Sequence, residues 1–113
     1  MKQVFYVPER GDVVLVSLSP SGRKGPADRC PAVILSPQAY NARVGLALLC
    51  PVTAQIKGYP FEVLLPSGLP LEGAILADQA ESVDWRAGRA EPVCSLPAPI
   101  IEEVLGKLRA LLA

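Results

Sequence analysis

Cys50-Pro51-Val52-Thr53-Ala54-Gln55-Ile56-Lys57-Gly58-Tyr59-Pro60-Phe61-Glu62-Val63 is the stretch that decides how this chain is read. An apolar run ends at Val52 and another begins at Phe61, and each has the character of a short strand. Between them, Gly58 and Pro60 punctuate a loop that carries a hydroxyl, an amide and an ammonium group. Those groups can hold a phosphate and a base. By themselves they define only a polar loop between two strands.

The same punctuation continues outward. Twelve prolines and nine glycines cut the chain into short pieces, which favours strands and turns over long helices. Upstream, Asp12 to Leu18 is a strand entered through the Arg10-Gly11 turn. Ser19 to Pro26 is polar and basic and reads as a mobile loop over a binding surface. Pro31 to Ser36 is a buried strand, because Val33, Ile34 and Leu35 follow one another without alternation. Gly45 to Val52 is a third strand and Phe61 to Leu65 a fourth. Downstream, Leu71-Glu72-Gly73 turns into a fifth at Ala74 to Ala77, and Glu81 to Trp85 adds a sixth.

The period then changes. Ile100, Ile101, Val104, Leu105, Leu108, Leu111 and Leu112 fall on one helical face, with Glu102, Glu103, Lys107 and Arg109 mostly on the other. Pro97 and Pro99 suit a first turn, and the early acids and late bases match the helix dipole. The spacing predicts a helix over about 98–111 packed on the sheet, with Gly106 allowing a close approach. The expected fold is mainly β with a C-terminal helix, a small curled barrel. One domain spans residues 1–113, with strands to about residue 94.

Composition narrows the function classes. Half of the 113 residues are apolar but only 5% aromatic, so the core must be built from Val, Leu, Ile and Ala. No run approaches the roughly 18–20 apolar residues that span a bilayer. The N-terminus lacks a signal-peptide apolar region, and a cytoplasmic, membrane-free protein is expected. Three cysteines without CxxC spacing, and no histidine at all, supply no zinc-ligand set. No metal and no cofactor are expected. Net charge is zero but unevenly spread: residues 1–60 hold seven basic and three acidic side chains, residues 61–113 four and eight. That polarity suggests one anion-binding face centred on Arg23, Lys24, Arg29, Arg43 and Lys57.

Three segments taken together resemble one family. The quoted loop, Arg29-Cys30-Pro31-Ala32-Val33-Ile34-Leu35-Ser36-Pro37 before it, and Leu76-Ala77-Asp78-Gln79-Ala80-Glu81-Ser82-Val83 after it resemble the MazF/PemK toxins of bacterial toxin–antitoxin systems. The likeness runs in order from about Tyr6 to Trp85. It implies an SH3-like barrel working as a homodimer, with single-stranded RNA lying near the dimer interface. It also implies a sequence-selective endoribonuclease acting mostly on messenger RNA, and a cognate antitoxin that lays an acidic tail over the basic groove.

Metal-free RNA cleavage needs a base for the 2′-hydroxyl, an acid for the leaving oxygen and donors for the developing charge. Without histidine, carboxylate, thiolate, arginine, tyrosine or hydroxyl groups must serve. The resemblance implies a catalytic pair, an arginine before the Pro-Ala-Val strand and a threonine in the Pro-x-Thr loop. Thr53 matches the threonine; its hydroxyl suits a nonbridging phosphate oxygen, or its own backbone as a loop-end residue. At the arginine position stands Cys30, a weak candidate thiolate, and Arg29 precedes it by one residue. A one-residue shift reverses the face of a regular strand, but a bulge restores it. Arg29 is therefore the candidate phosphate stabiliser and proton donor, or a solvated loop charge.

Gly25 occupies the place of a glutamate that assists some relatives, leaving Asp28 as the nearest candidate base. Candidate RNA-binding residues are Arg23, Lys24, Gln55, Lys57, Gln79 and Arg86, with Gln79 alternatively pinning a loop. Tyr59 and Phe61 offer stacking surfaces, although Phe61 reads better as core. Trp85 is either groove or core, and at Glu81 the charge is reversed from that of many relatives. The expected products are 2′,3′-cyclic phosphate and 5′-hydroxyl ends. Two other readings stand beside this one: an RNA-binding module with little or no cleavage, and a gyrase-poisoning toxin. The aliphatic end Arg109-Ala110-Leu111-Leu112-Ala113 disfavours the latter. The sparse aromatics disfavour an SH3-type peptide binder.

Overall fold

The eight-residue strand Leu46–Thr53 organises the sheet in the computed structural model, which describes residues 6–18 and 29–113. Arg23, Lys24, Gly25 and Asp28 lie outside the described residues, as does the 19–26 loop. In chain order the elements are β1 (Asp12–Ser17), β2 (Arg29–Ile34), α1 (Gln38–Val44), β3 (Leu46–Thr53), β4 (Glu62–Leu64), β5 (Ala74–Leu76), β6 (Glu81–Asp84), β7 (Glu91–Ser95) and α2 (Ala98–Leu112). The expected mainly β fold with a C-terminal helix is the observed one.

Every pairing is antiparallel, and the path runs β4-β5-β3-β2-β1-β7. β3 meets β2 along one edge. On its other edge, Leu46 to Leu49 pair with β6, while Val52 and Thr53 pair with β5. One strand serving two partners along the same edge bends the sheet, which curls into a small barrel. The end strands β4 and β7 are not hydrogen-bonded to each other.

The absence of alternation at 33–35 has a direct cause: both faces of the central strands are covered. Val13, Val33, Leu35, Cys50, Val52, Val63 and Ile75 pack on one face beneath Ile101 and Val104 of α2. Val14, Val16, Ala32, Ile34, Ala47, Leu49 and Val83 pack on the other with Trp85. Trp85 is thus core, only 5% exposed, and its indole N–H donates to the Asn41 carbonyl at 2.9 Å.

Five details depart from the sequence expectations. α1 was not anticipated; it spans seven residues between Pro37 and a left-handed Gly45, too few for a helical period to register. Its buried Asn41 replaces apolar packing with hydrogen bonds to the Pro8 and Ser36 carbonyls. β7 contains Pro92, which argues against a central strand; among the described residues it pairs only with β1, where a missing N–H is tolerated. Gly106 faces open space rather than a close neighbour. Finally, the apolar stripe of α2 outlasts its contact, leaving Leu112 79% exposed, and no acid lies in the first turn. Among the described residues no helix is long and apolar enough to cross a membrane.

Candidate active site

β3 ends at Thr53 because the chain must leave the sheet there. Thr53 pairs with Ala74, and beyond it every residue from Ala54 to Pro60 is exposed. The loop returns to the sheet at Phe61 and Glu62. An open cleft of about 190 Å³ lies inside this excursion. Thr53, Gln55, Lys57, Tyr59, Glu62 and Gln79 contribute to its walls, with Phe61, Leu76 and Asp78. Its volume falls below the roughly 300–1,000 Å³ of typical small-molecule sites. It fits a segment of a larger polymer better than a whole drug-sized ligand.

Several polar groups in the cleft are held by identifiable contacts. The Thr53 Oγ1 accepts the Gln55 backbone N–H at 3.0 Å, so the loop-end bond expected of a threonine is made. That bond uses a lone pair and leaves the hydroxyl proton for an acceptor in the cleft. The Glu62 carboxylate accepts the Lys57 N–H at 3.2 Å and the Gly58 N–H at 2.9 Å. Lys57 carries its ammonium 5.9 Å from the Tyr59 ring centroid, within cation–π range. Gln79 sits in a turn closed by its N–H to the Leu76 carbonyl. Asp78 is exposed beside it, and its carboxylate has no hydrogen-bond or ion-pair partner among the described residues.

Of the candidate residues, Thr53, Gln55, Lys57 and Gln79 are thus brought into one cleft although 26 positions separate Thr53 from Gln79. Phe61 is half-buried and lines the cleft instead of anchoring the core. Arg29 does not line it. Its guanidinium donates to the Leu15 carbonyl at 2.8 Å and to the Arg89 carbonyl, and pairs with Glu91 at 2.9 Å. The register explains this direction. Cys30 pairs with Val16 and Arg29 with Ser17, so Cys30, Ala32 and Ile34 share one face and Arg29 points to the other. No bulge interrupts that ladder. Cys30 shares the face of Ala32, and its Sγ lies 3.9 Å from the Val16 carbonyl.

Arg86 lies elsewhere, stacked 4.7 Å over the Trp85 ring and bordering a different cleft with Tyr6 and Val7. Arg43 is exposed on α1, and Glu81 is exposed on β6. Neither lines the Thr53 cleft. Cys50 is buried with its Sγ 3.9 Å from the Ala77 carbonyl, and burial and then the Asp78 carboxylate push its thiol up to about 12, which keeps it protonated and inert. Among the described residues no three Cys, Asp or Glu side chains cluster to hold a metal ion. Sequence reasoning passed over Glu62 as a site residue, because its role is to bond backbone amides four and five positions earlier. No side-chain pattern signals such a contact.

The chain is similar to known proteins over nearly all its length. The family described as PemK-like, MazF-like toxin of type II toxin-antitoxin system matches residues 9–112. The Escherichia coli K12 endoribonuclease toxin MazF is 40% identical over 107 residues, covering 95% of this chain and 96% of the relative. The Escherichia coli endoribonuclease PemK is 33% identical, covering 92% and 81%. A crystal structure of MazE-MazF from Deinococcus radiodurans superposes with a TM-score of 0.87 at 46% identity, covering 96% and 98%. With both the strand register and the loop cleft accounted for, the chain belongs to the PemK-like, MazF-like family of type II toxin–antitoxin toxins.

Proposed function

We propose that this chain is the endoribonuclease toxin of a toxin–antitoxin pair, cleaving single-stranded RNA by attack of a 2′-hydroxyl on the adjoining phosphodiester. The observation that carries the reading is the convergence of Thr53, Gln55, Lys57 and Gln79 in one open cleft. The Thr53 hydroxyl donates to a nonbridging phosphate oxygen, oriented by the N–H that its oxygen accepts. Lys57 supplies charge for the backbone, and Gln55 and Gln79 supply amides for base edges. Asp78, a cleft carboxylate with no hydrogen-bond or ion-pair partner among the described residues, takes the 2′-hydroxyl proton, and water protonates the leaving 5′ oxygen. The products are a 2′,3′-cyclic phosphate and a 5′-hydroxyl end.

The relatives add partners to this reading. The similar Deinococcus protein was crystallised as a MazE-MazF complex, which supports a cognate antitoxin here, its acidic tail competing with RNA for the cleft. Family resemblance supports a homodimer working in the cytoplasm.

One observation favours a second reading, RNA binding with weak cleavage. Arg29 engages Glu91 and two carbonyls, so stabilising a phosphate requires it to exchange the Glu91 contact for substrate. A long mixed-sequence RNA incubated in EDTA and mapped by primer extension separates the two readings. Cuts at a recurring motif, lost in Thr53→Ala, support the endoribonuclease, and their loss in Arg29→Ala brings Arg29 into the chemistry. RNA that is bound but uncut by the wild type establishes the binding module instead.

A further inference from the structure

We propose that Glu62 is a positioning residue that fixes the RNA-reading loop, and through it the base selectivity of the cleft. The proposal rests on the RNA-cleaving reading above. The loop between Thr53 and Phe61 has an unusual difficulty: among the described residues, none of its side chains is buried. Ile56 is 52% exposed and Tyr59 61% exposed, so no apolar contact offsets the entropy of ordering them. Whatever holds the loop must be polar.

Glu62 supplies most of that restraint. Both carboxylate oxygens accept the Lys57 N–H, each at 3.2 Å, and Oε1 also accepts the Gly58 N–H at 2.9 Å. The Glu62 backbone N–H donates to the Tyr59 carbonyl at 3.1 Å, closing the same turn at a second level. Gly58 at φ +79° lets the chain reverse there. Glu62 itself is fixed, since it begins β4 and pairs with Leu76. One further brace comes from α2, where Lys107 Nζ donates to the Pro60 carbonyl at 2.7 Å.

A carboxylate in the wall of a cleft for a polyanion opposes that ligand by charge. Here its acceptor capacity is directed onto backbone amides, where charge-assisted bonds are strong. The consequence is geometric: with Lys57 and Gly58 pinned from below, the Gln55, Lys57 and Tyr59 side chains are presented outward from a fixed frame. Glutamine at position 62 keeps one carbonyl acceptor but turns an NH₂ donor toward a donating amide. Alanine removes both acceptors.

The test uses the intact chain as wild type, Glu62→Gln, Glu62→Ala and Lys107→Met. Amide hydrogen exchange at Lys57 and Gly58, without RNA, should accelerate at least about tenfold in both Glu62 variants while the Val33 amide is unchanged. Cleavage of mixed-sequence RNA should then spread to sites differing from the wild-type motif, with KM rising more than kcat falls. Lys107→Met should relax selectivity in the same direction, and it alone decides the matter if the Glu62 variants do not fold. Faster loop exchange with an unchanged motif overturns the proposal, as does unchanged exchange. If the wild type cuts no RNA, the endoribonuclease reading fails separately. Selectivity is then read as the ratio of affinities for oligo(A), oligo(C) and oligo(U). A ratio altered in Glu62→Gln upholds the positioning role, and an unaltered one removes it.

Discussion

Gly73→Ala tests whether the end of β3 is held as tightly as the cleft geometry requires. Gly73 lies at φ +145°, immediately before β5. A Cβ placed on it would sit 2.3 Å from the Thr53 carbonyl oxygen and 3.2 Å from both the Thr53 carbonyl carbon and Val52 Cγ1. The obstacle is backbone, so no side chain can rotate away. The Gly73 carbonyl also accepts the Leu65 N–H at 3.0 Å, which ties the turn to the segment after β4. Two costs therefore combine. Holding alanine at this φ costs about 1–3 kcal/mol, and forcing a methyl into the packed contact costs about 1–3 kcal/mol. Their sum, about 2–6 kcal/mol, is a large part of the roughly 6–17 kcal/mol expected for a domain of this length at 0.05–0.15 kcal/mol per residue.

Urea denaturation and thermal scans of Gly73→Ala should show that loss, with Tm lowered by at least about 10 °C. Gly106→Ala is the matched control: nothing lies within 4 Å of its added methyl, and the site is mid-helix. It should stabilise by about 0.5–1 kcal/mol. The variant at position 73 should also lose more RNA cleavage than its folded fraction explains, because relieving the overlap moves Thr53. A Gly73→Ala protein within about 1 kcal/mol of wild type would refute the claim of a close backbone approach.

Thr53→Val keeps the shape and loses the hydroxyl; kcat should fall by about 10²–10³, the scale of removing one transition-state donor, whereas Thr53→Ser should retain most activity in the same primer-extension assay. Arg29→Ala removes two exposed hydrogen bonds to the Leu15 and Arg89 carbonyls, which water can replace in part, and should cost about 0.5–1.5 kcal/mol in urea. Glu91→Ala removes only an exposed ion-pair partner and should cost under about 1 kcal/mol. If Arg29 reaches the phosphate, Glu91→Ala should keep or raise cleavage; a loss as large as that of Arg29→Ala would instead mark the pair as structural. Cys50, held protonated to about 12 by burial and Asp78, should resist iodoacetamide at pH 8 in the native protein and react after unfolding. Because the folded thiol titrates above the unfolded one, its contribution is complete below the ordinary thiol value near 9 and is lost as pH rises from there toward 12. A Cys50→Ser variant should show a shallower alkaline decline in stability.

The order of β1 to β6 and of α2 was legible from the residues alone. Val33-Ile34-Leu35 without alternation signalled a strand covered on both faces, and the Ile101, Val104, Leu108 spacing signalled α2. Hydrophobic period is a local property, and these segments carry it within a few residues. The Pro51-Val52-Thr53 and Asp78-Gln79 segments likewise carried enough pattern to identify the family. What remained hidden was non-local. α1 and β7 are short or interrupted by proline, and they exist because Asn41 and the β1 edge give them partners.

The placement of Arg29 depended on strand parity. Only the continuous ladder from Val13 opposite Val33 to Ser17 opposite Arg29 shows that the guanidinium turns toward Glu91 instead of Thr53. The meeting of Thr53 with Gln79 depended on β5 pairing with the end of β3. The restraint on the loop depended on a carboxylate bonding amides, which no side-chain pattern encodes. Sequence determined which segments carry chemistry, because residue type and local period are sufficient for that. Tertiary structure decided which of them face each other, because register and backbone approach are properties of the assembled sheet.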